Sequence, residues 1–198
     1  MTFKPNTALE VGYYEIKIKS LKPTKANKNQ KIKEISYRFY VPEVINGYML
    51  PLEPDATINN ATLLGVDSND NGVRDDVERY IVKIYKDHHK IVTEIGFQGA
   101  RAFQQILDYP LNTEENYKAL RDSSDCNFYF REVADQLGDS ILIDHRINFK
   151  KLQLNTKSRV RAYLTYDRQL SGGVYRLTPY SQTKNKCSNE VLNLLGGE

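Results

Sequence analysis

The sequence predicts a mainly α fold, an α+β chain in which a four-helix-type bundle follows an N-terminal β-hairpin. Two changes of rhythm carry that expectation. Apolar residues alternate with polar ones at both ends of residues 11–41, and from Asp75 onward they recur every three to four positions. Alternation turns one side of a strand toward a core, whereas a 3.6-residue period does the same for one stripe of a helix. A third observation separates the two regimes. Residues 42–62 hold three prolines, Asn46-Gly47 and Asn59-Asn60, the composition of an extended connector without a helix. The expected domains are therefore 1–58, hairpin and connector, and 59–198, the helical part.

In the first part, Ile16 and Ile18 alternate with Glu15, Lys17 and Lys19. Ile35, Tyr37, Phe39 and Val41 alternate likewise over residues 32–41. β-Branched and aromatic residues at period two read as half-buried strands. Between them, LKPTKANKNQK has no apolar cluster and reads as a lysine-rich hairpin tip. A hairpin alone is marginal and needs something to pack against.

Four helical stripes follow. Val77, Tyr80, Ile81, Ile84 and Tyr85 form the first. Val92, Ile95, Gly99, Ala102, Phe103 and Ile106 form the second, closed by Tyr109-Pro110. Thr113 opens a third with Tyr117, Leu120, Phe130, Val133 and Leu137, ending at Gly138. Thr156 opens a fourth with Val160, Tyr163, Leu164 and Leu170, stopped by Gly172-Gly173. Polar caps before the stripes and Gly or Pro after them are the expected punctuation. Four such helices can share one core. Ser188 is placed to cap a last short helix through Val191, Leu192 and Leu195.

Composition bounds the function class. Of 198 residues, 40% are hydrophobic and 27% charged, as in ordinary globular chains. No apolar run reaches the roughly 18 residues of a membrane span. Met1-Thr-Phe-Lys-Pro-Asn has no apolar h-region, so no signal peptide is expected in the chain as it stands. Residues 1–50 carry nine Lys/Arg and four acids, a balance of +5 within an overall +3. A basic N-terminal part thus precedes a mildly acidic body.

Residues 67–78, DSNDNGVRDDVE, are the most informative stretch. Asp67, Asn69, Asn71, Gly72 and Glu78 fill every defined position of D-x-[DN]-x-[DN]-G-x₅-E. Ca²⁺ is a hard cation that takes six to eight oxygens. Side chains at loop positions 1, 3 and 5 supply Asp67, Asn69 and Asn71. Gly72 permits the positive φ of the turn at position 6. Val73 offers its carbonyl, Asp75 acts directly or through water, and Glu78 arrives from the first helical turn. Without metal, the same residues would be an acidic turn capping a helix.

These residues resemble the EF-hand loop, and more closely its single-copy bacterial relatives in dockerin-like and thrombospondin type 3-like segments. The resemblance covers twelve residues and the exit helix. Arg74 stands at position 8, where paired EF-hands place an apolar residue that pairs with a sister loop, and this chain has no sister loop. A lone loop with three carboxylates implies weak affinity, roughly 10⁻⁴–10⁻³ M, which suits a structural ion outside the cytosol. The stretch LLGVDSNDNGVRDDVERYI is also similar to one in uncharacterised exported bacterial proteins. There it precedes a small helical domain with a cysteine pair and an NTK-R-RAYL…LSGG-like segment, here Asn155–Gly173. That resemblance implies a fold and a periplasmic or extracellular compartment, with a cytoplasmic location as the alternative. It implies no activity.

Other candidates are weaker. Cys126 and Cys187 are expected to pair in a disulfide, which requires an oxidising compartment; two reduced, buried cysteines are the alternative. Their spacing is not that of a metal site. Adjacent His88 and His89 read as a favourable charge at the end of the first helix. No nucleophile–base pair, phosphate loop or zinc signature stands out, so whether the protein is an enzyme stays open, with a site near Tyr163, Arg161 and His145 as the alternative. The lysine-rich tip, Lys22 to Lys33, reads as a solvated turn, or as a surface for an anionic polymer or protein partner.

Overall fold

The computed structural model describes residues 4–18, 34–133 and 146–195. The lysine-rich tip, the helix stop at Gly138 and His145 lie outside these residues. The chain divides into two compact units, Met1–Val44 and Ile45–Glu198.

The first unit is an antiparallel pair, β1 (Gly12–Ile18) and β2 (Ile35–Val41), in register from Gly12 opposite Val41 to Ile18 opposite Ile35. Residues directly opposed share a face. Tyr14, Ile16 and Ile18 therefore lie with Phe39, Tyr37 and Ile35, and the Tyr14 and Phe39 rings stack 5.6 Å apart. The opposite face carries Glu15 beside Arg38, with Nε 3.4 Å from Oε1.

The division falls at Val44, earlier than the expected 58, inside a two-residue-turn hairpin of β3 (Val44–Ile45) and β4 (Tyr48–Met49). Asn46 and Gly47 turn it with φ of 49° and 79°, the left-handed pair that Asn-Gly favours. The residues after it belong to the helical unit for physical reasons. Leu50 is buried in that unit's core, and Tyr48 meets Phe97 edge-on at 5.6 Å. Arg79 donates to Pro51 O and to Glu53 Oε2, both at 2.6 Å. The connector also contains a helix that the sequence reading excluded, α1 (Ala56–Ala61). The Asp55 carboxylate accepts from Thr57 N at 2.9 Å and Ile58 N at 3.0 Å, a capping signal that the nearby prolines masked.

The expected helices follow: α2 (Asp75–Ile84), α3 (Lys90–Asp108) and α4 (Thr113–Val133). Then come α5 (Arg146–Gln153), α6 (Lys157–Gln169), α7 (Tyr180–Thr183) and α8 (Asn189–Leu195). Helix α3 is the hub, packing on α2, α4, α5, α6 and α8. Val77, Ile81, Val92, Ile95, Phe130 and Val191 are buried in the shared core. Cys126 of α4 and Cys187, just before α8, are joined in a disulfide with Cα atoms 4.7 Å apart. Among the described residues no helix is long and apolar enough to cross a membrane.

Two local readings change. Two members of the stripe proposed for α6 face outward, Val160 38% and Leu164 45% exposed, while Tyr163 stacks on Phe103 at 5.9 Å and Arg159 and Tyr166 are buried. The inward face is set by what Arg159 binds, described below. His89 is not at a helix C-terminus. It is the N-cap of α3, and its Nδ1 accepts from Ile91 N at 3.3 Å. Helix α2 ends sooner, at Ile84, which leaves both histidines in the turn.

Candidate metal centre

The loop begins where Val66 O accepts from Asp75 N at 2.8 Å, closing its neck. The Asp67 carboxylate reaches across to Asn71 N at 3.2 Å and Gly72 N at 2.8 Å. Asp70 and Gly72 take positive φ values of 54° and 78°, which curl the backbone back on itself. Asn71 Oδ1 accepts from Val73 N at 2.8 Å, and the Val73 side chain is fully buried.

Glu78 closes the ring from the first turn of α2. Its carboxylate accepts from Asn71 Nδ2 at 2.7 Å and from Asn69 Nδ2 at 3.1 Å. Asp75 Oδ1 accepts from Ser68 N at 2.9 Å. The structure thus brings together Asp67, Asn69, Asn71 and Glu78, with Asp75 alongside on the Ser68 backbone. Among the described residues, no group of three or more His, Cys, Asp or Glu side chains is drawn together as a ready-made metal cluster. The carboxylates are spaced by amide groups instead.

The electrostatics of this arrangement are unusual. Asp75 is 1% exposed and Glu78 4% exposed. Burial pushes the pKa of both above the ordinary value, and repulsion from Asp67 adds to it, against the lowering effect of their hydrogen bonds. Buried carboxylates ordinarily find a cationic partner. Among the described residues, neither has a basic side chain within ion-pair distance. The donor set is all oxygen-bearing, three carboxylates and two carboxamides, which is the chemistry a hard divalent cation takes. A carboxamide beside a carboxylate turns its N–H₂ toward it. A half-turn of Asn69 and Asn71 presents oxygen instead, since amide O and N occupy nearly the same shape.

Three arginines hold the loop in place, and the sequence reading assigned a role to none of them. Arg101 of α3 donates to Asn71 O at 3.0 Å. Arg74, fully buried, pairs with Asp76 through Nε at 2.5 Å and donates to Leu152 O at 2.8 Å and Gln153 O at 3.4 Å. It thereby caps the last carbonyls of α5, which explains an arginine where paired loops have an apolar residue. Arg159, also fully buried, gathers the chain entering the loop. It donates to Asn59 O at 2.6 Å, Leu63 O at 2.9 Å and Thr62 O at 3.3 Å, and to the side-chain oxygens of Asn60 and Asn155.

Gly65 completes this packing. It has φ of 77°, and a Cβ there would lie 2.3 Å from Arg74 Cδ and 2.8 Å from Arg159 Nη2. The two guanidiniums therefore close over a bare backbone. The signals in the sequence were Arg159 and Tyr163 with Tyr166 at helical spacing, a polar residue heading an aromatic stripe, and the loop's own Arg74. The segment starting at Asn155 and the segment 63–78 touch directly through these contacts.

No family model, no curated protein and no solved structure matches this chain.

Proposed function

We propose that residues 67–78 hold a calcium ion and that the protein is a calcium-stabilised structural or binding module exported to the periplasm or beyond. The ligands in this reading are Asp67, Asn69, Asn71, the Val73 carbonyl, Asp75 and Glu78. One observation supports it: two buried carboxylates, Asp75 and Glu78, lie close enough to Asp67 to be repelled by it, and among the described residues no basic side chain pairs with them. A divalent cation supplies the missing charge. The Cys126–Cys187 disulfide supports an oxidising compartment. A single loop gripped by Arg74, Arg101 and Arg159 suits a fixed strut better than a moving sensor.

The pH dependence follows from the same carboxylates. A group whose pKa is raised on folding binds more protons folded than unfolded within the window between the two values. Without calcium, stability therefore falls as pH rises from the ordinary values of 3.8 and 4.5 through the raised ones, then levels off. Calcium competes with those protons, so its stabilisation grows over the same window. At neutral pH, with a dissociation constant of roughly 0.3 mM, about 10 mM calcium adds about 2 kcal/mol. That corresponds to a rise in Tm of roughly 4–8 °C for a chain of this size. Melting curves with calcium and with EDTA, at neutral and acidic pH, check both statements. Equal Tm values in calcium and EDTA at neutral pH would rule out a structural ion.

A further inference from the structure

With one exception, the arginines of the chain are secured in the fold. Arg38 lies in β2, Arg74 is fully buried at the N-terminus of α2, and the others through Arg168 lie within helices α2 to α6. Arg176 is the exception. Residues 173–179 lie in no helix, strand or turn, and Arg176 is exposed. Of its neighbours, Val174 is 95% and Leu177 94% exposed. Backbone hydrogen bonding stops where Gly173 N donates to Leu170 O at 3.2 Å and resumes where Gln182 N donates to Pro179 O at 2.9 Å. Among the described residues, the Arg176 guanidinium has neither a carboxylate nor a hydrogen-bond partner.

Two anchors hold the segment out from the helices. The Tyr175 ring lies 4.5 Å from that of Tyr117, and its OH donates to Leu170 O at 2.8 Å. Thr178 Oγ1 donates to Asp125 Oδ2 at 2.5 Å and accepts from Arg121 Nε at 3.2 Å. Arg176 and Leu177 stand exposed between them. An endoprotease grips its substrate along the main chain. A bond inside a helix is therefore cut only after local opening, whereas one with free backbone groups is open to attack in the folded state. We propose that Arg176–Leu177 is the processing site of an endoprotease that cleaves after arginine. Water adds across the peptide bond, leaving a carboxylate on Arg176 and an amine on Leu177. The downstream piece is not released. Cys187 is bonded to Cys126, Gln98 holds Lys186 O and Ser188 N, and Val191 is fully buried. The product is a two-chain molecule joined by the disulfide, and no residue of the calcium loop takes part.

The test uses the full, oxidised chain and an arginine-specific serine endoprotease, which needs no thiol, with the cuts followed over time by intact mass and peptide mapping. The first product should gain the mass of one water and keep the parent's far-UV spectrum. It should stay one species without reductant and separate into residues 1–176 and 177–198 with it. Arg176–Leu177 should be cut about tenfold or more faster than the bond after any other arginine. Arg176→Gln, a change at an exposed side chain, should lengthen the life of the intact chain by about the same factor. The proposal is overturned if the first cut falls after another arginine, or if the parent survives as long as Arg176→Gln. It is also overturned if the cut chain comes apart without reductant.

Discussion

Replacing Arg159 with alanine is expected to destabilise the protein by about 3–5 kcal/mol. Its guanidinium is fully buried and donates to three backbone carbonyls and two side-chain oxygens drawn from residues 59–63 and 155. Burial and the neighbouring Arg74 lower its pKa to about 10, so it still carries its charge at neutral pH. Truncation leaves the carbonyl of buried Asn59 without its donor, breaks four further bonds at the surface, and opens a void beside Gly65. Arg159→Lys keeps the charge, but one ammonium has three donors and no fork, so more than half of the loss should remain. Chemical denaturation of the two variants measures this directly. Because Arg159 holds Thr62 and Leu63, which lead into the loop, Arg159→Ala should also weaken calcium binding. A cost of under about 1 kcal/mol would mean that the buried arginine is incidental.

Reducing the Cys126–Cys187 disulfide should cost a similar amount. It closes a loop with a sequence separation of 61, for which the chain-entropy relation gives about 4 kcal/mol. The affected region is specific. Gln98 of α3 exchanges hydrogen bonds with Lys186 O at 2.8 Å and Ser188 N at 3.0 Å, and Val191 of α8 is fully buried. With the covalent link gone, α8 should be the first element to lose protection against amide exchange, ahead of α3. Melting with and without reductant reads the energy, and a 2 Da change in intact mass (two hydrogens) reads the bond. A Tm that does not move on complete reduction would contradict the structural weight given to this bridge.

How much of this was visible in the chain differs by element. The long helices were legible because their stripes are regular and their ends are punctuated, as with Thr156 before α6 and Pro110 after α3. Strands β1 and β2 were legible for the same reason at period two. Helix α1 was hidden: a six-residue helix has no stripe to read, and only Asp55 announced it. The buried side of α6 was misassigned because Arg159 is polar and its burial is set by carbonyls from residues distant in sequence. The loop residues proposed as ligands were visible by spacing. The arginines that hold the loop were harder to read, because most of their partners are backbone carbonyls of α5, of the entering chain and of Asn71, which no residue spacing marks.

Calorimetric titration of Ca²⁺ into the protein, beside an Asp67→Ala, Glu78→Ala double variant whose far-UV spectrum matches the parent, decides whether residues 67–78 hold a calcium ion. One site is expected in the parent, with a dissociation constant of roughly 10⁻⁴–10⁻³ M, and no binding in the double variant. An absence of binding in the parent, or equal binding in both proteins, would contradict it.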